Sequence, residues 1–321
     1  MSPPRPPAAQ AAHPALPAIE DAIRAHRGNA FRITHTAPAS GGCIHTALTV
    51  GDAAGARYFV KLGPQHCAPL FAAEADGLAA IAASDSFRTP AVIALGAAGE
   101  QDTAAEDGGH AFLVLEHLAL HPVQSATDGA RFAEALVAMH RRSGDTFGWP
   151  RDNFIGSTPQ HNAPHANWAH FFAEQRLRPQ LALAREKGFG GELQKQGARL
   201  LPRIPALFLD YRPRESLVHG DLWHGNAAML ADGTPVLFDP AIHHGDRESD
   251  LAMSELFGGF PSSFYAAYRK AWPLHEDYEQ RKLLYSLYHM LNHLNLFGRG
   301  YLGEALRLVT KLNQELALGR E

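Results

Sequence analysis

The sequence predicts a two-lobed α+β protein, with an antiparallel sheet plus a helix in a small N-terminal lobe and a large, mainly helical C-terminal lobe. Three observations carry this expectation. The 321 residues are more than one domain of ordinary size holds, at ~100–200 residues each. Segments rich in strand formers crowd between residues 31 and 115. From Asp128 onward, apolar residues recur mostly at helical spacing. The divisions fall at residues 1–17 for a Pro/Ala-rich leader, 18–118 for the small lobe and 119–321 for the large one.

The leader holds six prolines and reads as disordered. Candidate strands near Phe31–His35 and Ile44–Val50 flank a glycine turn, Ser40–Cys43. Arg57–Leu62 is a third strand and carries Lys61 near its end. Leu70–Ala83 reads as a helix with an apolar stripe through Phe71, Leu78 and Ile81. Glu74 falls on that stripe, where a carboxylate is costly unless a cation pairs with it. Val92–Leu95 and Phe112–Leu115 are two more strands, joined by the polar loop Gly96–Gly109. In the large lobe Phe132, Ala135, Leu136 and Met139 form one helix face, with Gly144 past its end. A second helix follows Asn167 with Trp168, Phe171 and Phe172. Two short strands, Leu217–His219 and Pro235–Phe238, are separated by an Asp232-Gly233 turn. The C-terminal ~50 residues are helical, with Leu283, Leu287, Leu291 and Leu294 on one side.

Composition narrows the function classes. At 45% hydrophobic and 19% charged residues the chain is globular throughout its bulk. A net charge of −4 with no basic block argues against nucleic acid as a partner. No apolar run approaches the ~18 residues of a membrane span, and the N-terminus lacks a secretory pattern. Two cysteines, Cys43 and Cys67, make no disulfide framework and point to a reducing cytoplasm.

The chemistry-bearing stretch is Leu217-Val-His-Gly-Asp-Leu-Trp-His-Gly-Asn226, followed by Val236-Leu-Phe-Asp-Pro240. It sets Asp221 after a strand, Asn226 five residues on, and Asp239 at the end of the next strand. Phosphoryl transfer from ATP needs this set: one carboxylate for the proton of the attacking hydroxyl, and an amide oxygen and a second carboxylate for Mg²⁺. The Asp-to-Asn gap matches the protein-kinase catalytic loop. Taken without Asp239, Asp221 and Asn226 would read equally well as hairpin turn residues. Lys61 can reach the α and β phosphates, and Glu74 is the carboxylate that would fix its aim. Glu116-His117-Leu118 ends an apolar strand and opens the crossover, where adenine docks on main-chain groups. Gly41 and Gly42 would let backbone amides approach the phosphates. Neither GxGxxG nor GxxxxGK[ST] is present, so Rossmann and Walker-type readings lose support.

The strings HGDLWHGN (219–226), FDPA (238–241) and GDRESDLAMSELFGGFP (245–261) resemble the fructosamine kinase, or ketosamine-3-kinase, family. FGWPRDNFIGSTPQ (147–160), FFAEQRL (171–177) and LNHLNLFG (291–298) extend the resemblance, which runs from about Ala18 to the C-terminus. It implies a protein-kinase-like fold of the aminoglycoside phosphotransferase type. It also implies ATP-dependent phosphorylation of the C3 hydroxyl of a ketosamine, free or protein-bound, in the service of deglycation. By position it makes Asp221 the catalytic base, Asn226 and Asp239 metal ligands, Lys61 a phosphate contact oriented by Glu74, and Glu116–Leu118 the adenine hinge.

Two departures from protein kinases carry physical content. Gly220 stands where H-R-D kinases have an arginine that pairs with a phosphorylated activation loop, which implies an enzyme without that switch. Pro240 stiffens the turn after Asp239. On the substrate side, Trp223 can cover a sugar face, or fill the lobe core. Asp246, Glu248 and Asp250 form an acidic cluster suited to the amine of a ketosamine, with Ser249 or Asp250 also expected as a helix N-cap. His293 and Asn295 either line the site or form a buried pair. Cys43, in the glycine turn, is a candidate for redox sensitivity. The alternatives are a kinase of the same fold acting on an amino-alcohol or aminoglycoside, and an inactive kinase-like binding module. A metal-hydrolase reading of His219, Asp221, His224, His243 and His244 lacks ligand spacing, with 19 histidines in the chain.

Overall fold

Pro17 opens the first element of the computed structural model, which describes residues 13–28, 30–39, 46–99 and 109–318. Its fixed φ suits the first turn of helix α1 (Leu16–Arg27). Ile19 and Ile23, one turn apart, are fully buried, and Ala15 ahead of the helix is buried too. The end of the Pro/Ala-rich segment is therefore packed, and this helix was absent from the sequence reading. Glu20 accepts a hydrogen bond from the Ile33 N–H at 2.8 Å and so anchors the segment that follows.

Five strands form an antiparallel sheet: β1 (His35–Pro38), β2 (Thr46–Gly51), β3 (Arg57–Pro64), β4 (Val92–Ala98) and β5 (His110–Glu116), in the order β1-β2-β3-β5-β4. The first strand begins at His35, later than expected, because Phe31 is drawn into the core, edge-on against Tyr58 at 5.3 Å. Along β3, Tyr58, Val60 and Leu62 enter the core shared with Ile19 and Ile23. Strand alternation sends Lys61 to the other face, in register with Ala47 and Leu113. Gly41, Gly42 and Cys43, and most of the Gly96–Gly109 loop, lie outside the described residues.

Helix α2 (Ala68–Ala83) divides between two compact units. Met1–Ala72 with Ala91–His117 form the small one; Ala73–Pro90 with Leu118–Glu321 form the large one. The units thus divide inside α2 as well as between His117 and Leu118, and Glu74 counts with the large unit.

The large unit is built on two apolar cores. Helix α3 (Ala126–His140) starts with a capping box between Ser125 and Asp128 and buries Phe132, Leu136 and Met139. The pair β6 (Asn153–Ile155) and β7 (Thr158–Gln160) follows. Next comes α4 (Trp168–Phe171), a π-helical turn at Phe172–Leu177, α5 (Arg178–Glu186) and α6 (Glu192–Leu200). The single helix expected after Asn167 is broken here because Pro179 cannot donate its share of the α-helical ladder. Strand β8 (Ser216–Val218) pairs with β11 (His243–Gly245), and β9 (Ala227–Met229) with β10 (Pro235–Leu237). Helices α7 (Glu248–Leu256) and α8 (Ser262–Ala271) complete the core around Phe132, with Phe260, Phe264 and Tyr268. The long α9 (Tyr278–Phe297) and α10 (Leu302–Leu318) enclose the second core with Trp168, Phe171 and Phe172.

Candidate active site

The candidate catalytic segment is the loop between β8 and β9, and its shape is set from below. His219 and Gly220 both present backbone N–H groups to the Asp250 carboxylate on α7, at 2.7 and 2.8 Å. His140, from α3, lies 3.1 Å from the same carboxylate through Nε2 and 2.7 Å from the Tyr268 hydroxyl through Nδ1. The His219 ring is fully buried and accepts the Asp221 N–H at Nδ1 (3.2 Å). That acceptor role puts its proton on Nε2, which donates to the Phe238 carbonyl at 3.0 Å. Gly220 has φ +82°, and a Cβ there would sit 2.1 Å from the Ala241 carbonyl oxygen. A side chain at this position, arginine included, has no room.

Asp221 follows, with its side chain 23% exposed. Asn226 donates from Nδ2 to both the Asp221 main-chain oxygen (2.9 Å) and Oδ2 (3.1 Å). This pins the carboxylate and leaves the amide oxygen of Asn226 as the end with affinity for a cation. The Phe238 N–H bonds the Asn226 carbonyl at 3.2 Å and ties the loop to Asp239, which adopts a left-handed φ of 54°. Pro240 then packs on α2, where a Cβ at Gly77 would meet its Cγ at 2.7 Å. Burial pushes the Asp221 carboxyl up to about 7, aided by the negative charge of Asp239 and opposed by the Asn226 hydrogen bond. A carboxylate so tuned is a stronger base than an ordinary one and can take up a proton near neutral pH, the property a general base needs.

An aromatic row extends from this loop. Trp223 lies over Gly225, where a Cβ would come within 2.4 Å of the indole. Its ring is 6.3 Å from Phe257, and Phe257 is 4.7 Å from His293. His293 continues to Phe297 and Tyr301 at 5.4 and 5.2 Å. In the small unit, Lys61 is only 7% exposed on β3, and in the large unit Glu74 is equally buried on α2. At the end of β5 the Glu116 carboxylate and main-chain N–H bracket Ala91, and His117 and Leu118 are half-buried.

The family model for fructosamine kinase matches residues 15–315. The chain belongs to the fructosamine kinase family. A probable ketoamine kinase of Synechocystis is 44% identical over 292 residues, covering 91% of this chain and 94% of that protein. A chloroplastic protein-ribulosamine 3-kinase of Arabidopsis thaliana is 37% identical, over 90% of this chain and 87% of its own. The crystal structure of a presumed fructosamine-3-kinase from Haemophilus somnus superposes with a TM-score of 0.81 at 30% identity, covering 92% of this chain and 96% of that one. A thermostable aminoglycoside phosphotransferase APH(4)-Ia shares the fold at 15% identity, with a TM-score of 0.62 over 95% and 99% of the two chains. The fold class is thus the expected α+β, protein-kinase-like one.

Within this fructosamine kinase chain, three expected site residues have other partners. Asp246 is fully buried and accepts from the Tyr211 and Tyr285 hydroxyls at 2.9 and 2.6 Å and from the Glu248 N–H at 3.0 Å. Glu248, also fully buried, holds Arg281 in a bidentate pair at 2.7 and 3.2 Å. Asp250 is committed to the loop N–H groups. The acidic cluster therefore does not face a substrate amine. Nor does Ser249 or Asp250 cap α7: the helix begins at Glu248 after Arg247 with no side-chain cap, and the Ser249 hydroxyl donates to the Asp246 carbonyl at 2.7 Å. Asn295 is part of a buried amide ladder, donating to the Gln180 side chain at 2.7 Å and main chain at 3.0 Å. Cys67 is buried, which pushes its thiol up. The sequence reading passed over His289, whose Nδ1 lies 4.0 Å from Asp221 Oδ1. Its only signal was its place one helical turn before His293 in YHMLNH.

Proposed function

We propose that this protein is an ATP-dependent kinase that phosphorylates the C3 hydroxyl of ketosamines of the fructosamine or ribulosamine type, free or protein-bound. The observation that carries the proposal is Asp221: a partly exposed carboxylate, pinned by Asn226 and held near neutrality in its proton affinity by burial and Asp239. The ketosamine class rests on the names of the ketoamine and ribulosamine kinases to which the chain is similar. In this reading Asp221 takes the proton of the acceptor hydroxyl as its oxygen bonds the γ-phosphorus and the bond to ADP breaks. Trp223 covers the sugar face. A 3-phosphate beside the keto group is unstable, which links the activity to deglycation.

The donor set fits Mg²⁺: hard oxygens from Asn226 and Asp239, beside a second carboxylate whose repulsion a divalent cation relieves. When bound, the ion would neutralise charge on the transferring phosphate. We assign phosphate contact to Lys61, with Glu74 as its orienting carboxylate, backbone approach to Gly41 and Gly42, and adenine recognition to the main chain of Glu116, His117 and Leu118. The cysteine content favours the cytoplasm; among the described residues no helix is long and apolar enough to cross a membrane.

ATP consumption measured with a ribulosamine, a fructosamine, an aminoglycoside and an amino-alcohol tests the substrate class. Asp221→Asn should lose roughly 10²–10⁴ in turnover while still binding nucleotide. Near-normal turnover in that variant removes Asp221 from its role. Turnover of the aminoglycoside alone moves the enzyme to another substrate class, and nucleotide binding without any turnover supports the binding-module alternative.

A further inference from the structure

Among the buried side chains of the large unit, His289 is the one whose unsatisfied polar atom sits beside the reacting group. The residue is 3% exposed on α9, and its Nδ1 is buried with no hydrogen-bond partner. Buried donors and acceptors are nearly always paired, and leaving one alone costs ~1–3 kcal/mol. Asp221 Oδ1 lies 4.0 Å from Nδ1, too far for a hydrogen bond. The other Asp221 oxygen, Oδ2, is taken by Asn226. The unpartnered Nδ1 and the second oxygen of Asp221 therefore stand 4.0 Å apart.

A single oxygen placed between them resolves both. With legs of about 2.8 Å from Oδ1 and Nδ1, the angle at that oxygen is about 90°. A hydroxyl can meet this with its proton toward the carboxylate and a lone pair toward an imidazole N–H. The helix supports the ring for such a role: the His289 carbonyl is bonded by His293 Nδ1 at 2.8 Å, and His293 is wedged among Phe257, Phe297 and Tyr301. Burial keeps the imidazole uncharged, so it offers one N–H without forming an ion pair that would weaken Asp221 as a base.

We propose that His289 donates a hydrogen bond from Nδ1 to the acceptor hydroxyl whose proton Asp221 removes, and is a catalytic residue of this kinase. The proposal rests on the reading of Asp221 as base toward a substrate hydroxyl. His289 keeps its proton throughout. The hydroxyl proton passes to Asp221, the oxygen bonds phosphorus with one lone pair, and the other lone pair stays on His289.

The test compares His289→Leu, His289→Asn and His289→Gln in full-length protein, with ketosamine kcat, ketosamine and ATP KM, and the thermal midpoint measured together. Asparagine places an amide N–H near Nδ1; glutamine carries it toward Nε2. Loss of the bond should lower kcat roughly 10- to 100-fold in the leucine variant with ATP KM unchanged. Asparagine should restore most of it and glutamine should not. Equal kcat in all four folded proteins overturns the contact. Should the leucine variant not fold, asparagine above glutamine sustains the proposal and equality of the two overturns it. If the wild type phosphorylates an amino-alcohol or aminoglycoside and no ketosamine, the substrate reading fails by itself, and the same variants on that acceptor decide His289. A wild type that phosphorylates no acceptor overturns both.

Discussion

Replacing Asp250 by asparagine isolates the force that shapes the candidate catalytic loop. The carboxylate receives three donors: the His219 N–H at 2.7 Å and His140 Nε2 at 3.1 Å on one oxygen, and the Gly220 N–H at 2.8 Å on the other. An amide keeps one oxygen and turns an NH₂ toward the remaining donor. With the oxygen placed to serve His219 and His140, the Gly220 N–H faces a second donor in a fully buried site. One unsatisfied buried N–H and one unsatisfied amide N–H, at ~1–3 kcal/mol each, give a loss of about 2–6 kcal/mol. The same clash pushes Gly220 away from α7, and Asp221 is the next residue. A displacement on the order of 1 Å at a reacting group costs about 100-fold in rate. Urea unfolding should show the lower midpoint, and steady-state assays should show kcat down roughly 10- to 100-fold with ketosamine KM nearly unchanged. A variant with wild-type midpoint and kcat would refute the claim that Asp250 holds the loop.

The remaining predictions use the same observables. Glu248→Ala strands Arg281, whose side chain is 1% exposed, and should cost about 3–5 kcal/mol in a urea titration without raising ketosamine KM; a raised KM at unchanged stability would restore Glu248 to the substrate side. Gly220→Ala forces a Cβ to 2.1 Å from the Ala241 oxygen at a left-handed φ, and should cost more than ~2 kcal/mol and most of the activity; an unchanged thermal midpoint would contradict it. His140, His243 and His289 are held uncharged by burial, below the ordinary histidine range, with His289 at about 3. For each, the unfolded chain binds more protons than the folded one below pH 6.5, so this stability is present above 6.5 and is lost as pH falls. His289 by itself accounts for about 2 kcal/mol between pH 6.5 and 5, and denaturant midpoints at pH 7.5, 6.5 and 5.0 should fall in that order. A midpoint at pH 5.0 equal to that at 7.5 would rule this out.

What could be read in the sequence was what is written contiguously. Asp221 and Asn226 share one short loop, so their spacing alone encodes the contact now seen between them. Strand β3 announced itself through Tyr58, Val60 and Leu62, and with it the placement of Lys61. Residues whose role depends on distant elements were misjudged. Asp246 and Glu248 read as an acidic cluster for a substrate amine until Tyr211, Tyr285 and Arg281 arrive from elsewhere in the chain. Ser249 and Asp250 carry the composition of an N-cap, yet α7 starts at Glu248, at least two residues earlier than such a cap would set it, and Asp250 accepts from the loop below it. His289 sits on a buried helix with Tyr285, Ser286 and Asn292 one turn away, and no local pattern marks it as facing Asp221. Helix α1 was hidden by the prolines and alanines that precede it.

The first turn of α7 gathers these long-range roles into one structure. Asp246 joins it to Tyr211 and Tyr285, and Glu248 to Arg281. Arg247 donates to the Trp272 and Pro273 carbonyls and to the Tyr268 hydroxyl, and Asp250 reaches both His140 and the catalytic loop. Burying so many polar groups adds little net stability over an apolar core of similar volume. What it supplies is position, because a fully bonded network in a low dielectric tolerates few alternative arrangements. In this chain the network ends on the N–H groups of His219 and Gly220, immediately before Asp221. The proposed catalytic carboxylate is thus positioned by the folded core itself. The same packing leaves no room for an arginine that would read an activation-loop phosphate, because Gly220 is sterically required where that arginine would stand.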